Sequence, residues 1–319
     1  MFDIKIIIAL LCFGQIGAVQ VCPPAEDIRP CKCLQQGHFI DAHCAGISTL
    51  NELEHAVKRF RGAKFFAFDI SNSVFDYLPY DIFENVSIQH LSISKSNMSR
   101  IANLGDPQFE GLETSLVSLK ITETFTRTHP FAYVFMDHLK ALKKMELRKN
   151  HVEVLHNEWF RNGLPDLEII RFVECKIRRV GYRSLQRLKN LKIVDLSDNT
   201  INYIPRTALP QPANLLEEIY LERNVLTSLS EDFFTDMPNL KIVNLELNEF
   251  ITIDETIWGN VWDHLQYVNV DYNPLVCDAK IKWIYEKNEN LQKKLIGLCY
   301  KPFTLFEREL HTLKIEDLK

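Results

Sequence analysis

Two stretches of the chain, LKIVDLSDNTI at residues 191–201 and LKIVNLELNEF at residues 240–250, agree at Leu, Lys, Ile, Val, Leu and Asn. Between them lies LLEEIYLERNVL, whose frame opens at Leu216, and after them LQYVNVDYNPL at residues 265–275 keeps the same frame, L-x-x-L-x-L-x-x-N-x-L. Followed outward in both directions, the Asn position falls on Ser73, Ser96, Thr124, Asn150, Cys175, Asn199, Asn224, Asn248 and Asn273, in steps of 23 to 28 residues. Nine units offer 27 leading positions of the L-x-x-L-x-L kind, and all 27 are apolar, where a chain that is 46% apolar predicts roughly 12.

A repeat of this length is read before any local structure, because it decides the architecture. Each unit supplies one short strand whose alternate side chains point inward, and one such strand cannot bury its apolar face until neighbours stack on it. The Asn position must turn inward and hydrogen-bond the otherwise unpaired backbone of the neighbouring coil; Asn carries both a donor and an acceptor, and Ser, Thr and Cys are lesser substitutes. Five residues further on stand Leu78, Ile101, Leu155, Val180, Ile204, Leu229 and Ile253, with His129 breaking the series. Ten residues on stand Phe83, Phe160, Leu185, Leu209, Phe234 and Trp258, expected to fill the convex side as core. Nine parallel strands about 4.8 Å apart make an inner sheet about 40 Å long, curved because the convex halves are wider. The expected fold is an α/β solenoid, a short horseshoe with a parallel concave β-sheet.

Composition sets the remaining bounds. With 319 residues, 25% charged, 11 Gly, 13 Pro and 8 Cys, the chain is neither disordered, nor collagen-like, nor a small disulfide scaffold. A net charge of -5 offers no global basic field for a nucleic-acid backbone, so no nucleic-acid partner is expected. Lys5 precedes an apolar run from Ile6 to Phe13, followed by Gly17 and Ala18, which is the pattern of a secretory signal over residues 1–18. Eight apolar residues are too few to span a bilayer, and nothing later approaches 18, so a secreted product without a membrane span is expected. The charged end, ELHTLKIEDLK, argues against a lipid-anchor signal.

Secretion turns closely spaced cysteines into disulfide candidates. Cys22, Cys31, Cys33 and Cys44 cluster at one end, Cys277 and Cys299 at the other, and Cys175 stands alone between them. A solenoid needs caps where its terminal coils would expose core. The first cluster, C-x8-C-x-C-x10-C leading into Ile47 and Leu50, resembles the cysteine-rich N-terminal cap of secreted leucine-rich-repeat proteins. NPLVCDAKIKWI, from Asn273, resembles their C-terminal cap, with Trp283 on a covering helix and Ala279 where the family usually has a second cysteine. The N-terminal four allow three connectivities. The resemblance implies Cys22 with Cys33 and Cys31 with Cys44, leaving Cys277 with Cys299. It divides the chain into a signal (1–18), an N-terminal cap (19–62), leucine-rich repeats (63–275) and a C-terminal cap with tail (276–319). More narrowly, the Cys-Pro-Pro opening, the CKC pair and IDAHCAGI resemble a group of secreted arthropod proteins similar to the non-catalytic subunit of the shrimp luciferin monooxygenase. That likeness implies an extracellular, non-enzymatic, partner-binding protein.

The chain carries no G-x-S-x-G, H-E-x-x-H, phosphate loop or dinucleotide fingerprint, and no cofactor is expected. His43 beside Cys31, Cys33 and Cys44 has the composition of a zinc set, but disulfides compete for those thiols in a secreted cap. Cys175 occupies an Asn position and is read as a small buried group. Sequons at Asn85 (NVS) and Asn97 (NMS) are candidate glycosylation sites.

Functional expectation rests on the residues around each strand, which project onto the concave face where solenoids usually bind. Units three to five present there a net charge of +2, including Lys144, Arg148 and Arg171; the last four present -4, interleaved with Tyr220, Tyr267, Tyr272 and the outward Ile169, Ile193 and Ile242. Tyr and Arg are frequent interface anchors. The expectation is a protein ligand laid along the concave face, or alternatively the catalytic subunit of a secreted enzyme complex.

Overall fold

The computed structural model describes residues 22–37, 39–101, 106–125, 136–157, 159–287 and 294–319; the leader and His129 lie outside them. The chain opens with a hairpin of β1 (Cys31–Gln36) and β2 (Phe39–Ala45), followed by α1 (Leu50–Arg59). Strands β3 (Lys64–Ser71), β4 (Ser87–Ser94), β5 (Ser118–Thr122) and β6 (Lys144–Arg148) come next, one per coil. Then β7 (Val154–Leu155) and β9 (Arg179–Val180) flank β8 (Ile169–Val173), and β10 (Ile193–Asp195), β11 (Glu218–Tyr220) and β12 (Ile242–Asn244) follow. The far end holds α2 (Glu255–Trp258), β13 (Tyr267–Asn269), α3 (Lys282–Lys287) and β14 (Leu295–Ile296).

One 12-stranded sheet runs through the molecule in the order β1-β2-β3-β4-β5-β6-β8-β10-β11-β12-β13-β14, while β7 and β9 pair separately on another flank. Every pairing in the long sheet is parallel except the β1–β2 hairpin. The sheet is thus longer than the nine strands of the repeat, because β1, β2 and β14 come from the caps. Those strands occupy backbone edges that would otherwise stay unpaired at each end of the stack. This is a leucine-rich-repeat solenoid.

Inward positions stack coil upon coil. Phe68, Leu91, Leu119, Met145, Ile170, Val194, Ile219, Val243, Val268 and Leu295 form one register line across ten strands. All 27 leading apolar positions of the repeat are buried, as are the convex anchors Phe83, Phe160, Leu185, Leu209, Phe234 and Trp258.

The Asn line connects the coils. Asn199 Oδ1 accepts from the N–H groups of Cys175 and Ile177, each at 3.0 Å. Its Nδ2 donates to the Phe172 carbonyl at 2.8 Å and to Leu196 and Ser197 of its own coil. Asn150 likewise accepts from two N–H groups, those of Thr124 and Phe125, whereas Asn224, Asn248 and Asn273 each accept from one; all four donate to a carbonyl of the preceding coil. Ser73 Oγ accepts from the Ile47 N–H at 3.1 Å but donates only within its own coil, to the Ser71 carbonyl. Cys175 Sγ lies 3.3 Å from the Leu147 and Val173 carbonyl oxygens.

In all nine units the residue just before this line has a left-handed backbone: Asn72, Lys95, Glu123, Lys149, Glu174, Asp198, Arg223, Leu247 and Tyr272, with φ between 47 and 55°. That single turn ends the strand and swings the next side chain inward. Non-Gly residues adopt it at a cost of about 1–2 kcal/mol, so the hydrogen bonds it permits must exceed that cost.

The ends are closed by covalent and aromatic contacts. Cys22 bonds Cys33, Cys31 bonds Cys44 across the β1–β2 pair, and Cys277 bonds Cys299. Thr49 caps α1 by accepting from the Glu52 N–H, and the Glu52 carboxylate accepts from the Thr49 N–H in return. At the far end Trp258, Trp262 and Trp283 form a chain of edge contacts, and Trp283 Nε1 donates to the Ile253 carbonyl at 2.9 Å.

Replacing Asn199 by Ala leaves two buried N–H groups without an acceptor. Each orphaned group costs about 1–3 kcal/mol, so Asn199→Ala should lose roughly 3 kcal/mol or more in urea unfolding; a loss under about 1 kcal/mol would contradict the bridging role of this line. Burial pushes the Cys175 thiol up to about 12. A thiol reagent at pH 8 should therefore label Cys175 only on unfolding, and rapid labelling of the native protein would mean that the register is wrong.

Candidate functional site: the concave face

Outward side chains on the long sheet fall into register rows. One row runs Ala67, His90, Ser118, Lys144, Ile169, Ile193, Glu218, Ile242 and Tyr267; the next runs Lys120, Glu146, Arg171, Asp195, Tyr220, Asn244 and Asn269. Parallel strands stand about 4.8 Å apart, so like or unlike charges in one row are close neighbours.

Much of the charge on this face cancels between adjacent coils. Lys192 pairs with Glu168 at 3.0 Å, Lys241 with Glu217 at 2.7 Å, Lys149 with Glu123 at 3.4 Å and Arg223 with Asp198 at 3.7 Å. Exposed pairs of this kind contribute about 0–1 kcal/mol each. Their larger consequence is that they remove those charges from the field that a partner meets.

Two unbalanced groups remain. Glu146, buried, receives Lys144 at 2.9 Å, Lys120 at 3.6 Å and Arg148 at 3.9 Å, so three cations surround one carboxylate. Burial opposes its ionisation, but the Lys144 hydrogen bond and the three charges together hold it below the usual carboxylate range. Arg171, beside Glu146 in register, turns to Asp195 at 3.7 Å. The structure therefore brings Lys144, Arg148 and Arg171 together on β6 and β8.

Three coils on, the balance reverses. Glu222, Glu246 and Asp271 follow the ends of β11, β12 and β13 at equivalent positions, each two residues before a buried Asn. Glu246 accepts from Asn269 Nδ2 at 3.0 Å, and Glu218 accepts from the Tyr220 hydroxyl at 2.9 Å. Glu222 Oε2 is buried and has no hydrogen-bond partner. Burial first, then Asp195, Asp198 and Glu246, push the Glu222 carboxyl up to about 7. Burial and the Glu218 hydrogen bond likewise push the Tyr220 hydroxyl up to about 12.

The tyrosines are not one cluster. Tyr220 is half-buried beside Asp195, Tyr267 lies next to Ile242 two coils further, and Tyr272 occupies the left-handed turn at a strand exit, 65% exposed. Ile169, Ile193 and Ile242 are half-buried on the outer row. At the opposite end the structure adds an aromatic group that pattern reading passed over: Phe39 and Phe66 at 5.1 Å, with His90 4.7 Å from Phe66. Phe66 is an outward position of the first unit, so the repeat frame could have located it; the contact with Phe39 required the cap strand. His43 Nδ1 lies 2.9 Å from Asp69, and the neighbouring sulfurs are all in disulfides. Asn85 and Asn97 are both exposed.

The comparisons with known proteins agree with this architecture. Residues 140–201 and 214–275 match the family described as leucine rich repeat. Pig fibromodulin is 30% identical over 109 residues, which cover 34% of this chain and 70% of that protein. The chain belongs to the leucine-rich-repeat family. It is also similar to the non-catalytic subunit of Oplophorus-luciferin 2-monooxygenase from Oplophorus gracilirostris, 22% identical over 306 residues, covering 85% of this chain and 81% of that one. Mouse Toll-like receptor 9 is 28% identical over 165 residues, but the match spans 52% of this chain and only 16% of the receptor. Among solved structures, a complex of TLR13 with ssRNA13 superposes with a TM-score of 0.61 at 23% identity, covering 71% of this chain and 30% of that one, a likeness of fold.

The raised Glu222 carboxyl gives a directional prediction. A folded carboxyl that holds its proton to about 7, against an ordinary value of 4.5, opposes folding once ionised. That cost is absent below the ordinary value, grows between the two, and is complete above about 7. Glu222→Gln should therefore raise the melting temperature at pH 8 and leave it unchanged at pH 4; equal shifts at both would contradict burial of an ionised carboxylate as the cause.

Proposed function

We propose that the chain is a secreted, non-enzymatic scaffold that holds an extended protein segment along its concave face. The observation that carries this reading is the charge left after pairing: three cations around Glu146, and a carboxylate row at Glu222, Glu246 and Asp271 that starts three coils away. A segment of opposite polarity, acidic at one end and Arg- or Lys-bearing about 15 Å further on, complements both groups. Tyr220 and Tyr267 supply anchors between and beyond them. Binding of a cation at Glu222 would restore the ionised carboxylate, so affinity should rise from pH 6 to pH 8.

Three disulfides, together with relatives such as lumican and fibromodulin, support an extracellular location. No helix among the described residues is long and apolar enough to cross a membrane. Glycans on Asn85 and Asn97 would then mark part of the early coils as unavailable to a partner.

A second reading is favoured by one observation: the similarity to the Oplophorus non-catalytic subunit extends over 81% of that protein, far more than for the Toll-like receptor. On that reading the concave face carries a catalytic chain. Light scattering of the native protein, with identification of any co-eluting chain, separates the two. A fixed stoichiometric partner favours the subunit, and a monomer favours a transiently binding scaffold. For either partner, reversing Lys144, Arg148 and Arg171 to Glu should weaken binding at least 10-fold, more at low salt than at high; unchanged affinity would remove the concave face from the interface.

A further inference from the structure

The back of the coil that follows Cys175 departs from the charge pattern of its neighbours. Between Lys176 and Lys189 there are six cations, Lys176, Arg178, Arg179, Arg183, Arg187 and Lys189, and no Asp or Glu, in a chain of net charge -5. All six side chains are exposed. Arg178 is paired with Glu153 at 3.1 Å, and Lys189 donates to the Gln211 carbonyl at 2.9 Å. Arg179, Arg183 and Arg187 make no ion pair among the described residues.

The concentration is local to one unit. Arg183 and Arg187 stand eight and twelve residues after Cys175, which occupies the inward-turned Asn position of their unit. The same two places are Thr207 and Gln211 in the next unit and Asp232 and Asp236 in the one after. The two places thus carry opposite charges in units two coils apart, which confines the basic area to one unit.

The arginines also line a cavity. Asn157, Arg161, Tyr182, Arg183, Gln186 and Arg187 line an open depression of about 610 Å³ between two neighbouring coils on the convex side, and no carboxylate among the described residues lines it. Its shape is held by hydrogen bonds between the two coils. Asn157 Oδ1 accepts from the Arg183 N–H at 3.1 Å, and Gly181 N–H donates to the Leu155 carbonyl at 2.9 Å. Gly181 is required there, because a Cβ would meet both the Leu155 oxygen and Asn157 Oδ1.

We propose that this convex cavity binds a sulfated polysaccharide, independently of the concave face. A guanidinium presents paired donors that match the oxygens of a sulfate ester, and its weak hydration favours such contact. Tyr182, 66% exposed, offers a ring face to a pyranose between sulfates. The basic area is short, since Asp232 and Asp236 lie two coils away. That length suits a few densely sulfated sugars. A single-stranded nucleic acid engages a longer basic track with a succession of stacking rings, whereas one exposed tyrosine lines this cavity.

The test is calorimetric titration of the intact protein with a heparin-derived octasaccharide at 50 and 150 mM NaCl. Binding that weakens with salt is expected, together with at least a 10-fold loss for Arg183→Ser/Arg187→Ser at an unchanged melting temperature. A concave variant, Lys144→Ala/Arg148→Ala, should bind the octasaccharide like the parent, and the desulfated octasaccharide should not bind. Absence of binding by the parent at 50 mM NaCl, equal losses in the two variants, or full affinity in the convex variant would overturn the proposal. So would a single-stranded RNA of matching charge that binds more tightly than the octasaccharide. Should the double variant melt early, Arg183→Lys/Arg187→Lys keeps the charge and the fold; it should bind more weakly than the parent, since the paired donors are lost.

Discussion

The inward-turned side chain at the end of each strand is the interaction on which the structure depends. A solenoid coil has to reverse direction beside its neighbour, and the backbone at that corner is buried where water cannot reach it. Asn solves this with an acceptor for the N–H groups of one coil and a donor for the carbonyls of two. The left-handed residue before it makes the geometry possible, at a conformational cost that recurs nine times. Each corner is stabilised by the next, so no unit is a folding unit by itself.

Once the corners are satisfied, the two faces of the coil are free to differ. On the concave side the short strand spacing sets side chains of consecutive units beside one another, and most opposite charges there are used up internally. What remains is informative because it was not neutralised: cations in excess around Glu146, and carboxylates in a row where Glu222 resists ionisation. On the convex side an open depression beside Arg183 and Arg187 lies between two coils. One stack thereby presents two electrostatically distinct surfaces.

The caps extend the same logic to the ends. The β1–β2 hairpin and β14 continue the sheet beyond the repeat, and disulfides pin both caps. The N-terminal cap also brings Phe39 against Phe66, placing an apolar group at one end of a face whose other end is acidic. The face therefore grades from aromatic through basic to acidic along its length.

By itself the sequence determined the architecture, because 27 apolar positions and nine inward-turning residues recur at a spacing that only stacked coils can bury. It also made the basic middle and acidic end of the concave face legible, since outward positions follow directly from the repeat frame. Most of the left-handed turns were invisible: Asn72 and Asp198 are of types that tolerate positive φ, but Lys, Glu, Arg, Leu and Tyr occupy the other seven and do not signal it. Tyr272 accordingly read as part of the strand face but sits at its exit. Tertiary structure alone decided which charges survive, because Lys192 with Glu168 and Lys241 with Glu217 are neighbours across coils, 24 residues apart in sequence. It also decided that Arg183 and Arg187 share a cavity with Asn157, since a pocket between coils depends on how far they separate, and that distance is set by packing rather than by spacing along the chain.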